Sequence, residues 1–297
     1  MKLVNNPMVS IGLPVYNRET LIAETLDCLL AQTFTDFEII ISDNHSTDGT
    51  ETICRQYAER DSRIRYIRQE KNLGIFGNFR FVKDAAQDKY FMWTASDDLC
   101  EPEFIGSMVE CLEANPELAL VMTDVKTIAN TGQVVHVDRM EAIRLPEVVG
   151  HAEANRLLFF NYGDPNHLYH CIFGLCRTDV AKQCWFPTKT WKNMVADLEV
   201  AYLAQVAVRG SIATLPAPLK TYRSHTGSTY VKEMTGRRLF DKVMRGLEIR
   251  FSLLGTALTN DLPWNVRLKL FFRVFLSSMW SVRNFLRGRS VTALPSP

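Results

Sequence analysis

No stretch of about 18 uncharged apolar residues occurs in this 297-residue chain, so no membrane-spanning helix is expected. The most apolar window, Leu268–Val282, is broken by Lys269 and Arg273. The opening segment Met1–Asn6 is polar and holds no apolar core, so no signal peptide is expected. Phosphate-cradling glycines are missing as well. No G-x-G-x-x-G follows the first apolar run and no Walker sequence occurs, which argues against a nicotinamide dehydrogenase and a P-loop enzyme. No C-x-x-C pair occurs, and no Ser/His/Asp nucleophile set is recognisable. The seven cysteines, at 28, 54, 100, 111, 171, 176 and 184, are odd in number and several lie in apolar runs. They read as reduced, mostly buried thiols of a cytosolic protein. Internal repeats and low-complexity tracts are absent.

What is present is ordinary globular composition: 46% hydrophobic and 23% charged, which excludes a disordered, collagenous or coiled-coil chain. The length suits one large α/β domain with an appendage, or two small domains. The net charge of +1 hides an asymmetry, because residues 220–297 hold 14 Lys and Arg against 4 Asp and Glu, while the rest is acidic. A basic tail on an acidic body suggests an anionic partner for the tail, a membrane surface or nucleic acid.

Up to about Val125 short β-rich runs alternate with helical patterns. Strands are expected at Met8–Pro14, Phe37–Ser42, Ile64–Arg68, Tyr90–Thr94 and Leu118–Thr123, and helices at Glu19–Thr33, Asp48–Asp61, Phe76–Ala86 and Pro102–Asn115. This alternation predicts βαβ units: an α/β fold with a mostly parallel sheet and helices on both faces. Ligands of such sheets sit at the carboxyl ends of the strands. Beyond Val125 the pattern is less regular. One long helix is expected over Ala196–Val208, stopped by Gly210, and a helical appendage beyond Gly227.

The strand-end segments carry the chemistry. Asp97-Asp98 follows an apolar strand; a divalent cation shared with a diphosphate would relieve the repulsion of two adjacent carboxylates. A solvated turn, or Asp98 capping the next helix, is the equal alternative on spacing alone. Asp43 ends the second strand, where a carboxylate can accept from a base NH or a ribose hydroxyl, whereas Thr47 and Asp48 read as helix caps. In Tyr16-Asn17-Arg18-Glu19, Tyr16 could stack on a base and Arg18 could meet phosphate, against the alternative of an ordinary turn. Asp197 opens a helix, a position that favours a cap, though a general base there would deprotonate an acceptor hydroxyl. In Tyr222-Arg223-Ser224-His225, Arg223 could neutralise phosphate and His225 could ligate metal. His151, His167 and His170 lack metal-ligand spacing. Leu268–Leu286 predicts an amphipathic helix whose stripe is Leu268, Phe271, Phe272, Phe275, Leu276, Met279 and Val282, with Arg267, Lys269, Arg273 and Arg283 largely outside it. With the basic tail, this favours peripheral membrane contact through residues 263–289; packing on its own domain or on a twin subunit is the alternative.

Taken together, these segments resemble the family 2 glycosyltransferases of GT-A fold. The resemblance runs from Val9-Ser-Ile-Gly-Leu-Pro-Val-Tyr-Asn-Arg through Leu30–Thr50, Asn72-Leu-Gly and Ser96-Asp97-Asp98 with Pro102, and covers about Met8–Ser228. It implies an inverting transfer of sugar from a nucleoside-diphosphate sugar, a UDP-sugar before others, in cell-surface polysaccharide or glycolipid assembly. The implied division is a GT-A domain over 1–226, with a nucleotide-sugar half at 1–125 and an acceptor half at 126–226, followed by a basic helical region at 227–297. By the same resemblance Pro14, Tyr16, Asn17, Arg18, Asp43, Asn72, Asp97 and Arg223 bind the nucleotide-sugar, and Asp98 and His225 hold Mn²⁺ or Mg²⁺. Many members carry an Asp where this chain has Ala95, and others have only the adjacent pair. Asp197-Leu198-Glu199-Val200 resembles the family's base motif, with Asp197 as base and Glu199 as the fallback; Ala196 stands where many members have Glu. Asn161–His170 and Gly227–Thr235 would shape the acceptor site, the latter closing as a lid. A glycan or lipid-linked glycan is the implied acceptor, at the inner face of the cell membrane, with no nucleic acid expected. The rival classes are a nucleotidyltransferase, which Val15–Glu19 serves poorly with one Arg and no Gly, and a non-catalytic sugar-nucleotide or nucleic-acid binding protein.

Overall fold

The computed structural model describes residues 7–129, 131–145, 147–160, 168–186, 198–224, 239–260 and 262–286. The first strand, β1 (Val9–Val15), is buried along its whole length, as a mostly apolar strand inside a parallel sheet is, with Ser10 satisfied by Glu38 and Asp88. It is flanked by β2 (Phe37–Asp43) and β4 (Tyr90–Trp93), both parallel to it, and β3 (Ile64–Arg68) lies outside β2. Helix α1 (Ile22–Leu30) buries Ile22, Thr25, Leu26 and Leu29, one face at helical spacing. Helices α2 (Thr50–Arg60) and α3 (Gly74–Ala85) complete the alternation.

The order β3-β2-β1-β4 contains a reversal. The chain steps outward from β1 to β3 and then crosses back to the far side of β1. Right-handed crossovers therefore put α1 and α2 on one face and α3 on the other. The crevice opens where the direction changes, between the carboxyl ends of β1 and β4. Gly12 lets α3 approach β1: a Cβ there would stand 2.7 Å from Val82 Cγ2 and 2.9 Å from Phe91 Cε2.

The second half of the sheet is mixed. β5 (Leu99–Cys100) precedes α4 (Phe104–Ala114), and β6 (Leu118–Ile128) runs five residues beyond the strand expected, with β7 (Val134–Asp138) folded back along it. After α5 (Ala152–Phe159), β8 (Leu175–Arg177) bridges β4 and β6 by antiparallel pairing. Then come α6 (Thr178–Gln183), α7 (Leu198–Ala207) and β9 (Ser211–Arg223), which runs parallel to β6. Strand β9 is unexpected because it contains Pro216 and Pro218. Its ladder with β6 jumps from Thr123↔Leu215 to Val125↔Lys220, so both prolines fall in a bulge where no ladder donor is needed. Past the bulge, Lys220 and Thr221 pair with Cys100 and Leu99 of β5.

The C-terminal helices, α8 (Leu239–Thr259) and α9 (Trp264–Leu286), pack on α7 and α5. They build a second core, in which Ile249, Leu253, Leu270 and Val274 meet Phe160, Ala204 and Val208. Packing therefore crosses residue 226, where composition changes. Among the described residues no helix is long and apolar enough to cross a membrane. The inward face of α9 is Val266, Leu270 and Val274; Leu268, Phe272, Phe275, Leu276 and Met279 of the expected stripe point outward. All seven cysteines are free and five are buried.

Replacing Gly12 by Ala should lower unfolding free energy by about 1–3 kcal/mol, the range for overpacking, in a denaturant titration at unchanged slope. An unchanged midpoint would mean that α3 is not seated on β1 as described.

Candidate active site

The loops after β1 and β2 are laced together by backbone donors and short polar side chains. Asn17, in the left-handed region at φ 50°, accepts from Thr47 N through Oδ1 at 2.9 Å and donates its own N–H to Ser46 Oγ at 3.0 Å. Arg18 N donates to Thr50 Oγ1 at 2.7 Å, and Gly49 N donates to Glu19 Oε2 at 2.7 Å. This lacing explains why α1 begins at Ile22 and not at Glu19. Pro14 is buried beyond the last β4 rung at Gly12, so its missing N–H costs the β4 ladder nothing. Tyr16 is exposed at the crevice. Asn72 joins the third loop to the second: its Oδ1 accepts from Asn44 Nδ2 at 3.0 Å and from Gly74 N at 2.8 Å.

Asp43 is fully buried. Its Oδ1 accepts from Ser46 N at 2.8 Å, and its Oδ2 from the Tyr66 hydroxyl at 2.7 Å and Arg68 Nη1 at 3.1 Å. A carboxylate offers about four lone-pair sites, so these three bonds leave one acceptor position unfilled. Tyr66 and Arg68 were not anticipated. They are i and i+2 on β3, on one face, and the parallel register sets Arg68 beside Asp43. Burial, then the bond to Asp43, pushes the Tyr66 hydroxyl well above its ordinary range.

The acidic pair divides its labour. Asp97 lies at the crevice with Oδ2 3.4 Å from Arg18 Nε, which ties the loop after β4 to the loop after β1. Asp98 is turned inward and buried. Its Oδ2 stands 3.6 Å from Lys220 Nζ, its Oδ1 accepts from Arg223 N at 3.3 Å, and its carbonyl accepts from Thr25 Oγ1 at 3.0 Å. Burial pushes the Asp98 carboxyl above the usual carboxylate range; Lys220 opposes the rise and Asp97 adds to it. Lys220 is itself buried and donates to Thr94 Oγ1 at 3.2 Å. It was missed because it reads as the first charge of a basic tail. Arg223 binds the Asp97 carbonyl through Nε at 3.2 Å and Glu24 through Nη2 at 2.6 Å. Strand β9 thus supplies two cations to the acidic pair. Nearby, buried His170 lies 3.1 Å from Asp138 Oδ2, with its ring 6.0 Å from that of Tyr222.

Asp197, His225, residues 161–167 and Gly227–Thr235 lie outside the described residues. Glu199 stands in the first turn of α7. Among the described residues no cluster of three or more His, Cys, Asp and Glu is placed to hold a metal. Asp97 offers one hard carboxylate donor at the crevice, while Asp98 beside it is turned inward onto Lys220. That donor set fits Mg²⁺ or Mn²⁺ whose shell is completed by phosphate oxygens, not one caged by protein alone.

Removing one partner of a buried ion pair leaves the other uncompensated. Lys220→Met should cost about 3–5 kcal/mol in denaturant unfolding, and adding Asp98→Asn should restore part of it. Equal losses in the single and double variants would dissolve the pairing.

Comparison with known proteins points one way. The model of the family described as "Glycosyl transferase family 2" matches residues 10–185. An uncharacterized glycosyltransferase of Methanocaldococcus jannaschii is 27% identical over 147 residues, 49% of this chain and 51% of that one. The chain spans less than two thirds of the length of the curated relatives it matches. Among solved structures, S. aureus TarS 1-349 in complex with UDP-GlcNAc aligns at TM-score 0.70 and 17% identity, covering 93% of this chain and 74% of that one. The mannosyltransferase PcManGT of Pyrobaculum calidifontis, in complex with GDP-Man and Mn²⁺, aligns at TM-score 0.53 and 15% identity, covering 93% and 88%. At those identities the likeness is one of fold.

Proposed function

This chain belongs to glycosyl transferase family 2, and from that premise we propose that it moves a sugar from a nucleoside-diphosphate sugar to an acceptor hydroxyl. The observation that carries this reading is the convergence of four strand-end loops on the β1/β4 crevice, with an acidic pair clasped between Arg18 and the β9 cations. The nucleotide occupies the loops of Pro14, Tyr16, Asn17, Arg18, Asp43 and Asn72: Tyr16 offers a ring to the base, and Asp43 its remaining acceptor position. Asp97 faces the ribose and diphosphate. A uridine donor is supported by the TarS complex with UDP-GlcNAc, and the GDP-Man complex of PcManGT makes guanosine its rival.

Asp97 and His225 are the residues that would hold Mn²⁺ or Mg²⁺, with Asp98 turned onto Lys220 behind Asp97; when bound, such an ion supplies Lewis-acid charge to the departing diphosphate. Arg223 adds a fixed guanidinium to the same leaving group. Asp197, which precedes Leu198 in the sequence, takes the acceptor proton, Glu199 being the fallback, and a single in-line displacement inverts the anomeric carbon. Residues 126–226 are the acceptor half in this reading, and 161–170 and 227–235 would contribute to acceptor choice. The acceptor we infer is a glycan carried on lipid, in cell-surface polysaccharide or glycolipid assembly, met at the inner face of the cell membrane by the basic C-terminal region.

The test is calorimetric titration with UDP, GDP and dTDP in Mn²⁺, in Mg²⁺ and in EDTA. Metal-dependent binding of one diphosphate, weakened at least about tenfold in Asp97→Asn, is expected; Asp97 is the accessible partner, so its replacement spares the buried Lys220–Asp98 pair. Asp197→Asn should keep that binding and lose about 10²–10⁴-fold in turnover. Binding of none of the three diphosphates, or unchanged turnover in Asp197→Asn, would overturn the corresponding half of the reading.

A further inference from the structure

Helix α9 has two apolar faces, and only one is used. Val266, Leu270 and Val274 are buried in the second core. On the other side Trp264, Leu268, Phe272, Phe275, Leu276 and Met279 stand in water, Trp264 at 69% exposure and Phe272 at 56%. At 100° per residue these six fall in one stripe, about opposite the buried face. From Trp264 to Met279 the stripe is about 22 Å long at 1.5 Å per residue. A surface of this kind on a water-facing helix marks an interaction site.

Charge selects the occupant. Trp264–Leu286 contains Arg267, Lys269, Arg273 and Arg283 and no Asp or Glu, and Arg287 and Arg289 follow. By helical geometry Arg267 borders the stripe on one side, and Lys269 and Arg273 border it on the other. Lys269 pairs with Glu153 of α5 and Arg267 donates to the Leu258 and Leu262 carbonyls, which anchors the helix to the body. A second copy meeting this stripe about a twofold axis would bring two acid-free helices and two basic tails together, like charge against like. An anionic lipid surface supplies the opposite charge and an apolar layer for the aromatic side chains. The helix cannot span a bilayer.

We propose that α9 lies in the plane of an anionic membrane, its Trp264–Met279 stripe seated at the boundary between headgroups and acyl chains and its bordering arginines, Arg267 and Arg273, toward the phosphates. The contact is independent of the nucleotide site and needs no substrate.

The test is flotation of the full chain with phosphatidylcholine vesicles, with and without phosphatidylglycerol, at low and high salt. Binding is expected only with phosphatidylglycerol, weakening as salt rises. Trp264 emission should shift to the blue on binding, a change that the Trp264→Phe variant loses. Phe272→Ser and Phe275→Ser touch exposed side chains and leave both cores intact; each should weaken partition roughly tenfold at unchanged thermal midpoint and nucleotide calorimetry. No flotation with phosphatidylglycerol vesicles, or flotation indifferent to lipid charge, overturns the proposal. A wild-type dimer in sedimentation velocity that the double serine variant splits overturns it in favour of a second copy. Loss of nucleotide binding with flotation intact would strike the transferase reading alone.

Discussion

A buried carboxylate on one half of the sheet is held by a cation and a backbone N–H from the other half. Asp98 follows β4, while Lys220 and Arg223 belong to β9, which is separated from β4 in the sheet by β8 and β6. The short strand β5, directly after Asp98, turns back to pair with β9. The pairing brings the sheet's far edge round to the crevice. An isolated buried carboxylate would be costly, so the position of Asp98 depends on this closure, and the outward aim of Asp97 depends in turn on Asp98 facing in. Arg18 then needs only to reach Asp97 for the loops after β1 and β4 to share one wall.

Lacing on the other side is of a different kind. The first three loops are joined mainly by short neutral side chains and backbone amides, Asn17 with Ser46 and Thr47, and Asn44 with Asn72, the Glu19 carboxylate on Gly49 N being a charged exception. The neutral bonds order the loops without adding net charge. Fixed charge is concentrated instead on Asp43 with Arg68 and on the acidic pair with its three basic neighbours. A polyanionic ligand thus meets a preformed frame in which neutral groups set shape and charged groups set polarity.

The parallel half of the fold was legible because its signals are local. Runs such as Val9–Val15 and Phe37–Asp43 are mostly apolar and end at a polar break, and the helix between them shows one buried face. Motif order placed Asp97, Asp98, Arg18 and Asp43 at strand ends, where they stand. The mixed half was not legible, for equally physical reasons. Strands β5 and β8 are two and three residues long and exist only through their partners. In β9, Pro216 and Pro218 hide a strand that tolerates them by bulging. Lys220 could be found only by knowing that bulge. Tyr66 and Arg68, by contrast, were within reach, since strand alternation puts them on one face and a parallel neighbour ends in Asp43. For α9 the period picked out the exposed residues from Leu268 to Met279, while Val282 lies outside the described side chains, and period alone does not say which of two apolar faces a fold will use.

The second core is built from both sides of a compositional border. Phe160, Ala204 and Val208 precede residue 226, and Ile249, Leu253, Ala257, Leu262, Val266, Leu270 and Val274 follow it. Cohesion and sequence continuity are therefore separate properties here. If the chain were nicked between Ser224 and Leu239, the two pieces would still share these ten buried apolar side chains, and neither could shed the other without wetting them. The C-terminal helices behave in this sense as a bound subunit that happens to be covalently attached, and helix α7, with side chains in both cores, is the shared beam between them.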